Sequence, residues 1–203
     1  MSSEVKWVRT PEQRANLRKL AEWLKELKDP TVFGMQNYVS IQDNPWVLSY
    51  DDSIRKMVTF VTEKEDVLQK KSEPVEKVIH ECGTVCCAIG MTPFAFPKEA
   101  KEFVSDNPIT SDSYWDGWHN FSEGLFGVLD VAYWGWMFES FWAEIDDTPE
   151  GAAARIEYFA SAKRPPKFYS FEQLRMRAPK FVEEYQMWRD ERVDSSHQQA
   201  MEE

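Results

Sequence analysis

The stretch "TPEQRANLRKLAEWLKELKDP", residues 10–30, predicts an amphipathic helix near the start of the chain. Thr10 can act as the N-cap, Pro11 suits the first helical position, and Gln13 completes a capping box. An Asp-Pro pair ends the pattern. Between these signals apolar residues recur at helical spacing, at Leu17, Leu20, Ala21, Leu24 and Leu27. A helix with one apolar face indicates a core built from packed helices.

The same kind of signal recurs later in the chain and predicts further helices. Thr148 followed by Pro149 is a strong helix start. Ser170 can cap the last helical region, which Pro179 must kink or restart. Other segments with helical patterns are residues 51–71, 97–106 and the first part of 121–145, whose second part reads as a buried aromatic turn.

These patterns predict the fold class and the domain organisation. We expect a mainly α protein with five to seven helices, forming a single compact helical domain with an aromatic-rich core. Residues 1–160 are the predicted helical core domain. Residues 161–203 are a predicted C-terminal helical extension, whose polar tail frays from about Glu191. A chain of 203 residues fits this organisation.

Composition and charge argue against several classes of function. The formal net charge is −11, and the basic patches at 162–167 and 175–180 are short, so we expect no direct binding to nucleic acid. No run of about 18 apolar residues suggests a membrane span. The N-terminus lacks the apolar region of a signal peptide. We therefore expect a cytoplasmic protein, whose acidic surface can dock on a protein partner.

All three cysteines lie in "HECGTVCCAIGMTPF", residues 80–94, together with His80. Structural zinc usually takes two pairs of ligands from separate segments, and the sequence offers no second pair, because His119 and His197 stand alone. Three cysteines within six residues also do not resemble a disulfide framework. We predict no metal and no cofactor.

Two interpretations of the cysteine segment remain. If Gly83 and Thr84 open a helix, Cys82 lies at its positive end, where a thiolate is favoured. Cys82 or Cys86 would then be a nucleophile with His119 as its base. The favoured interpretation is structural, because free cysteines are most often buried: Thr84 caps a short helix over "VCCAIG". Such a terminus also suits an anion or a carbonyl group, so Cys82, Gly83 and Thr84 are predicted binding residues.

The middle of the chain is unusually rich in tryptophan. Five of the nine tryptophans fall within 28 residues, which exceeds the usual need of a small core. Part of this cluster is predicted to line a pocket or an interface, and the alternative is an aromatic core. The predicted binding residues are Trp115, Trp118, Trp134 and Trp136, with Trp142 as the fifth member of the cluster.

Four segments in a fixed order resemble an uncharacterised family of small phage and bacterial proteins. They are "CGTVCCAIG", "FSEGLFG", "WGWMFESFW" and "TPEGAAARI", and the first and last match the motifs C-G-T-x-x-C-x-x-G and T-P-x-x-A-A-x-R-I. The resemblance runs from Pro11 to about Ala160. Cys87 departs from the pattern, which has a small apolar residue there, and residues 161–203 are an addition. Its motif positions here are Cys82, Gly83, Thr84, Cys86, Gly90, Thr148, Pro149, Ala152, Ala153, Arg155 and Ile156.

The resemblance implies no known activity, but it implies a phage-like context. We expect a non-enzymatic interaction or ligand-binding protein, encoded by a phage and acting on a host or phage protein in the host cytoplasm. The alternative is an enzyme with Cys82 or Cys86 as nucleophile and His119 as base. Arg155 is a further predicted binding residue, which either reaches a carboxylate or carbonyl at a facing helix end or lies on a solvated face.

Overall fold

The computed structural model describes residues 10–35, 39–41, 50–70, 73–81, 84–106, 116–128, 131–161 and 164–202. Over these residues the protein is mainly α, with eleven α-helices instead of the predicted five to seven. The helices are α1 (Pro11–Glu26), α2 (Tyr50–Glu63), α3 (Glu65–Lys70), α4 (Val75–Glu81), α5 (Thr92–Ala95), α6 (Pro97–Asp106), α7 (Asp116–Phe126), α8 (Val131–Phe138), α9 (Pro149–Ser161), α10 (Phe171–Met176) and α11 (Pro179–Glu202). Two 3-10 helices (Pro30–Val32 and Ser140–Glu144) and two strands, β1 (Val39–Ile41) and β2 (Thr84–Cys86), complete the described elements.

Helix α1 begins as its sequence predicts. The Thr10 hydroxyl accepts a hydrogen bond from the Gln13 backbone N–H at 3.1 Å, and the Gln13 side chain accepts one from the Thr10 N–H at 3.0 Å. Its apolar stripe is fully buried and packs along α9. The α9 residues Ala152 and Ala153 are also fully buried, and their small side chains allow the two helices to approach closely.

The helix predicted over the cysteine segment is wrong. Residues Thr84–Cys86 form strand β2, which pairs antiparallel with β1 and places Cys86 opposite Val39. The Cys86 carbonyl also accepts a hydrogen bond from the Gly34 N–H at 3.1 Å. Gly90 lies in the turn that follows β2, and Pro93 lies inside α5. The strand depends on a partner distant in sequence, which local helix signals do not report.

Several predicted boundaries also differ from the structure. The predicted helix over residues 51–71 is split at Lys64 into α2 and α3, and a further helix, α4, follows at Val75–Glu81. Residues 121–145 contain the end of α7, all of α8 and a 3-10 helix, instead of one helix and a turn. Gly127, with a φ of 66°, ends α7 in the left-handed conformation that favours glycine.

The C-terminal extension packs into the same core as the rest of the chain. Ser170 caps α10 by accepting a hydrogen bond from the Gln173 N–H at 3.0 Å, and the chain restarts as α11 at Pro179, as predicted. Leu174 and Tyr185 are fully buried in the common hydrophobic cluster. Helix α11 continues through Glu202, past the position where the sequence predicts fraying. None of the helices in the described ranges is both long and apolar enough to span a bilayer.

Candidate functional site

The structure describes only part of the predicted cysteine site. Cys82, Gly83 and Trp115 lie outside the described residues, and of Thr84 only the backbone, in β2, is described. Cys86 and Cys87 are buried, with no exposed surface. Burial raises the pKa of the Cys87 thiol to about 12. Cys86 therefore offers no surface to a substrate, which the nucleophile interpretation requires.

The predicted base lies in a different setting. His119 is half-buried on α7, and its ring centroid is 6.0 Å from that of Trp134. It lines a pocket whose described lining includes no cysteine. The structure thus does not bring Cys86 and His119 together in one open cleft.

Three of the predicted tryptophans form an aromatic core. Trp118 is only 3% exposed, while Trp136 and Trp142 are fully buried. The Trp136 and Trp142 rings meet edge to face with centroids 5.2 Å apart, and both indole N–H groups donate to backbone carbonyls. The core interpretation therefore holds for these three residues. Trp134 is as buried as Trp118, at 3% exposed, and is the member of the cluster that also lines a pocket.

Arg155 lies at the centre of a buried polar network. Its side chain has no exposed surface, and its Nη1 is 3.6 Å from the Asp146 Oδ2 atom. The same Nη1 donates to the Tyr185 hydroxyl at 2.9 Å, and the guanidinium lies 4.0 Å from the centre of the Trp142 ring. Burial raises the pKa of Tyr185 to about 12, so its hydroxyl stays protonated and donates to Asp146.

Asp146 joins this network to two helices. Its Oδ1 accepts a hydrogen bond from Thr148, whose hydroxyl accepts one from the Gly151 N–H at 3.0 Å and so caps α9. Its Oδ2 is paired with Arg189 of α11. A β-carbon at Gly151 would overlap the Asp146 carboxylate, so this glycine is required by close packing.

The network joins α9 to α11 in the interior of the protein. Asp146 is almost fully buried and faces two guanidinium groups, those of Arg155 and Arg189. Arg155 reaches a carboxylate, as predicted, but this carboxylate is Asp146. Asp146 lies just before α9, the helix that carries Arg155, and not at the end of a facing helix. Sequence reasoning missed Asp146, and no local pattern connects it with Arg189 in the extension.

The described residues also form an open pocket of about 700 Å³. Four large apolar side chains form its floor, and polar or charged side chains complete the wall. Helix α7 supplies His119 and α8 supplies Trp134. The other lining residues come from the second 3-10 helix with the preceding Glu139, and from α10 with the following Arg177. The lining residues are His119, Trp134, Glu139, Ser140, Phe141, Phe171, Leu174, Arg175 and Arg177.

Hydrogen bonds and ring contacts fix the side chains that form the floor of this pocket. The Trp134 indole N–H donates to the Ser122 hydroxyl at 3.0 Å, and Ser122 donates to the His119 carbonyl at 2.7 Å. The Phe141 and Phe171 rings meet nearly perpendicular with centroids 6.1 Å apart. A preformed apolar floor of this kind needs little ordering when a ligand enters.

The wall of the pocket carries both signs of charge. Arg177, in the left-handed conformation after α10, is ion-paired with Glu144. The Glu139 carboxylate accepts hydrogen bonds from the Ser140 N–H at 3.1 Å and from its hydroxyl at 3.3 Å. The Arg175 guanidinium lies 5.4 Å from the centre of the Phe171 ring. The sequence signal for this wall was the short basic patch at 175–180.

An exposed methionine adjoins the pocket. Met176, between two lining arginines, is 74% exposed, and it is one of two large apolar side chains described as exposed. Methionine adapts its shape to different partners and is frequent on binding surfaces. Met176 is therefore an exposed apolar side chain next in sequence to two lining residues.

Comparison with family models, with curated proteins and with solved structures finds no match to this chain. The resemblance to the phage and bacterial family stays a prediction. Among the described residues, no three His, Cys, Asp or Glu side chains come close enough to hold a metal ion.

Proposed function

We propose that this protein is a non-enzymatic binding protein that holds a segment of a protein partner in the pocket between α7, α8 and α10. The observation that carries the proposal is an open pocket lined by half-buried Phe141 and Phe171 and by buried Trp134. Aromatic side chains and arginine supply most of the binding energy in protein interfaces.

The size of the pocket suits an anchoring side chain and its neighbours. A volume of about 700 Å³ lies within the range of natural ligand sites. The exposed Met176, next in sequence to two lining arginines, is a further apolar side chain that an extended partner could contact. The resemblance to phage and bacterial proteins supports a host or phage protein in the cytoplasm as the partner.

Blocking the pocket tests the proposal. Peptides are selected for binding from a displayed random library and are then titrated against wild type, Ser140→Trp and Ser105→Trp. Ser140 is exposed and lines the pocket, whereas Ser105 is exposed on α6 and does not line it. We expect Ser140→Trp to abolish binding and Ser105→Trp to preserve it. Selected peptides that bind both variants equally would place the binding surface elsewhere.

The alternative, a cysteine nucleophile, now depends on Cys82, because Cys86 is fully buried. A thiol assay on the folded protein distinguishes the two proposals. The Cys82→Ser variant should show no fast-reacting thiol, and a low thiol pKa for Cys82 in wild type would favour the enzyme.

A further inference from the structure

We propose, on the basis of the proposed function, that the pocket selects an acidic partner segment: an apolar side chain on the aromatic floor, with a neighbouring carboxylate bound by Arg175. The juxtaposition, on one short helix, of apolar floor residues and a guanidinium that no described carboxylate pairs with carries this inference. Helix α10 supplies the floor residues Phe171 and Leu174 as well as Arg175.

The two arginines of the pocket differ in whether a described carboxylate pairs with them. Arg177 is already paired with Glu144. No carboxylate in the described part of the chain pairs with Arg175, which is exposed and contacts the Phe171 ring instead. An arginine held over an aromatic ring keeps its outer N–H groups directed to a planar acceptor, and a carboxylate is the acceptor that matches this fork.

The acidic groups of the pocket do not compete for this arginine or attract a basic partner strongly. Glu139 already accepts two hydrogen bonds from Ser140, and Glu144 is paired with Arg177. Because Glu144 offsets Arg177, the pocket has no excess of positive charge, and Arg175 is the lining guanidinium that no described carboxylate pairs with. A carboxylate of the partner segment can pair with Arg175 at that point, even though the protein as a whole carries −11.

The test uses defined peptide pools. Each eight-residue pool has Leu, Met, Phe or Trp at its centre, and the flanking positions carry Asp and Glu in one pool, Asn and Gln in the second, and Lys and Arg in the third. Affinities are measured by fluorescence anisotropy. We expect the acidic pool to bind wild type about tenfold more tightly than the amide pool, as a charge-assisted hydrogen bond implies.

Substitutions at Arg175 then show whether this residue causes the preference for the acidic pool. Arg175→Gln should make the acidic and amide pools bind equally, and Arg175→Glu should favour the basic pool. The matched control is Arg164→Gln, an exposed arginine outside the pocket, which should keep the preference of wild type. Unchanged thermal midpoints verify that the exposed substitutions leave the fold intact.

Each contrary result has a distinct meaning. If the acidic and amide pools bind wild type equally and Ser140→Trp blocks both, the acidic preference is overturned and the proposed function stands. If none of the pools binds, both proposals fail. If 3-phenylpropionate binds in the pocket and none of the peptide pools does, the site takes small aromatic acids and the peptide partner is overturned.

Discussion

Asp146 is the single residue on which the most buried polar contacts converge. It accepts from Tyr185 and Thr148 and pairs with Arg155 and Arg189. Two of these partners belong to α9 or its cap and two belong to α11. The carboxylate thus compensates the buried charge of Arg155 and fixes the position of α11 at the same time.

Asp146→Asn should lower the free energy of unfolding by about 3–5 kcal/mol, because it leaves Arg155 as a buried charge without its counter-ion. The measurement is denaturant unfolding, with Asp190→Asn on the exposed face of α11 as the control. The double variant Asp146→Asn/Arg155→Met should be more stable than the sum of the two single losses implies. Strict additivity would contradict the coupling of the pair.

Two helical glycines provide a matched pair of substitutions. Gly151→Ala should destabilise the protein by about 1–3 kcal/mol, because its β-carbon would overlap the Asp146 carboxylate. Gly124→Ala on α7 meets nothing within 4 Å and should stabilise the protein by about 0.4–1 kcal/mol. Thermal or denaturant unfolding compares the two. A gain in stability for both would show that Asp146 is not packed against α9.

At the scale of elements, a hydrogen-bonded carboxylate joins a 3-10 helix to α4. Asp29 caps the 3-10 helix by accepting from the Thr31 N–H at 2.9 Å, and it lies 2.9 Å from the His80 Nε2 atom of α4. The hydrogen bond from His80, followed by those from Thr31, lowers the pKa of Asp29 from 3.8 to about 2.

The lowered pKa of Asp29 determines the direction in which the stability of the protein changes with pH. The contribution of Asp29 is present above about pH 4 and is lost as the pH falls towards 2, because the unfolded chain takes up the proton first. Carboxyl NMR should find the Asp29 midpoint near 2 in wild type. His80→Ala should raise that midpoint more than Thr31→Val does. A wild-type midpoint near 4 would show that the contact between α4 and Asp29 does not persist in solution.

Helices with complete local signals could be predicted from the sequence. The capping box of α1 and the Thr148-Pro149 start of α9 are encoded within one turn, and the structure contains both. Strand β2 could not be predicted, because small and β-branched residues are compatible with either a helix start or a strand, and pairing with β1 decides between them. The fold class could therefore be predicted from the sequence, but the strand in the cysteine segment could not.

The candidate site was predictable only in part. Tryptophan content pointed to the region of the aromatic core, but only packing decides that Trp136 is fully buried and that Trp134 also lines a pocket. The sequence leaves open whether Arg155 reaches a carboxylate or carbonyl or lies on a solvated face, and the structure decides for the Asp146 carboxylate. The pocket joins residues from α7 and from the extension, and this long-range contact leaves no local periodicity to detect.

At the scale of the whole molecule, the extension closes the aromatic core. From α11, Phe181 and Tyr185 are buried and Trp188 packs on Trp136 with ring centroids 5.3 Å apart. Burying each of these three side chains contributes about 1.5–3 kcal/mol to the free energy of unfolding. The three contributions together are a large part of the usual stability of a domain. The pocket also depends on this arrangement, since α10 of the extension supplies part of its floor.

Two truncations test whether α11 belongs to the core. A chain ending at residue 192 keeps Arg189 and the aromatic contacts, and the sequence beyond is polar apart from Val193, Ala200 and Met201. It should therefore unfold at the same temperature as the full chain. A chain ending at residue 178 should aggregate or unfold at a much lower temperature, because it exposes Trp136 and deprives Asp146 of its partners on α11. Calorimetry and size-exclusion chromatography measure both. If the shorter chain is as stable and monomeric as the full one, α11 is a partner-binding arm, and the binding surface must be sought there instead of in the pocket.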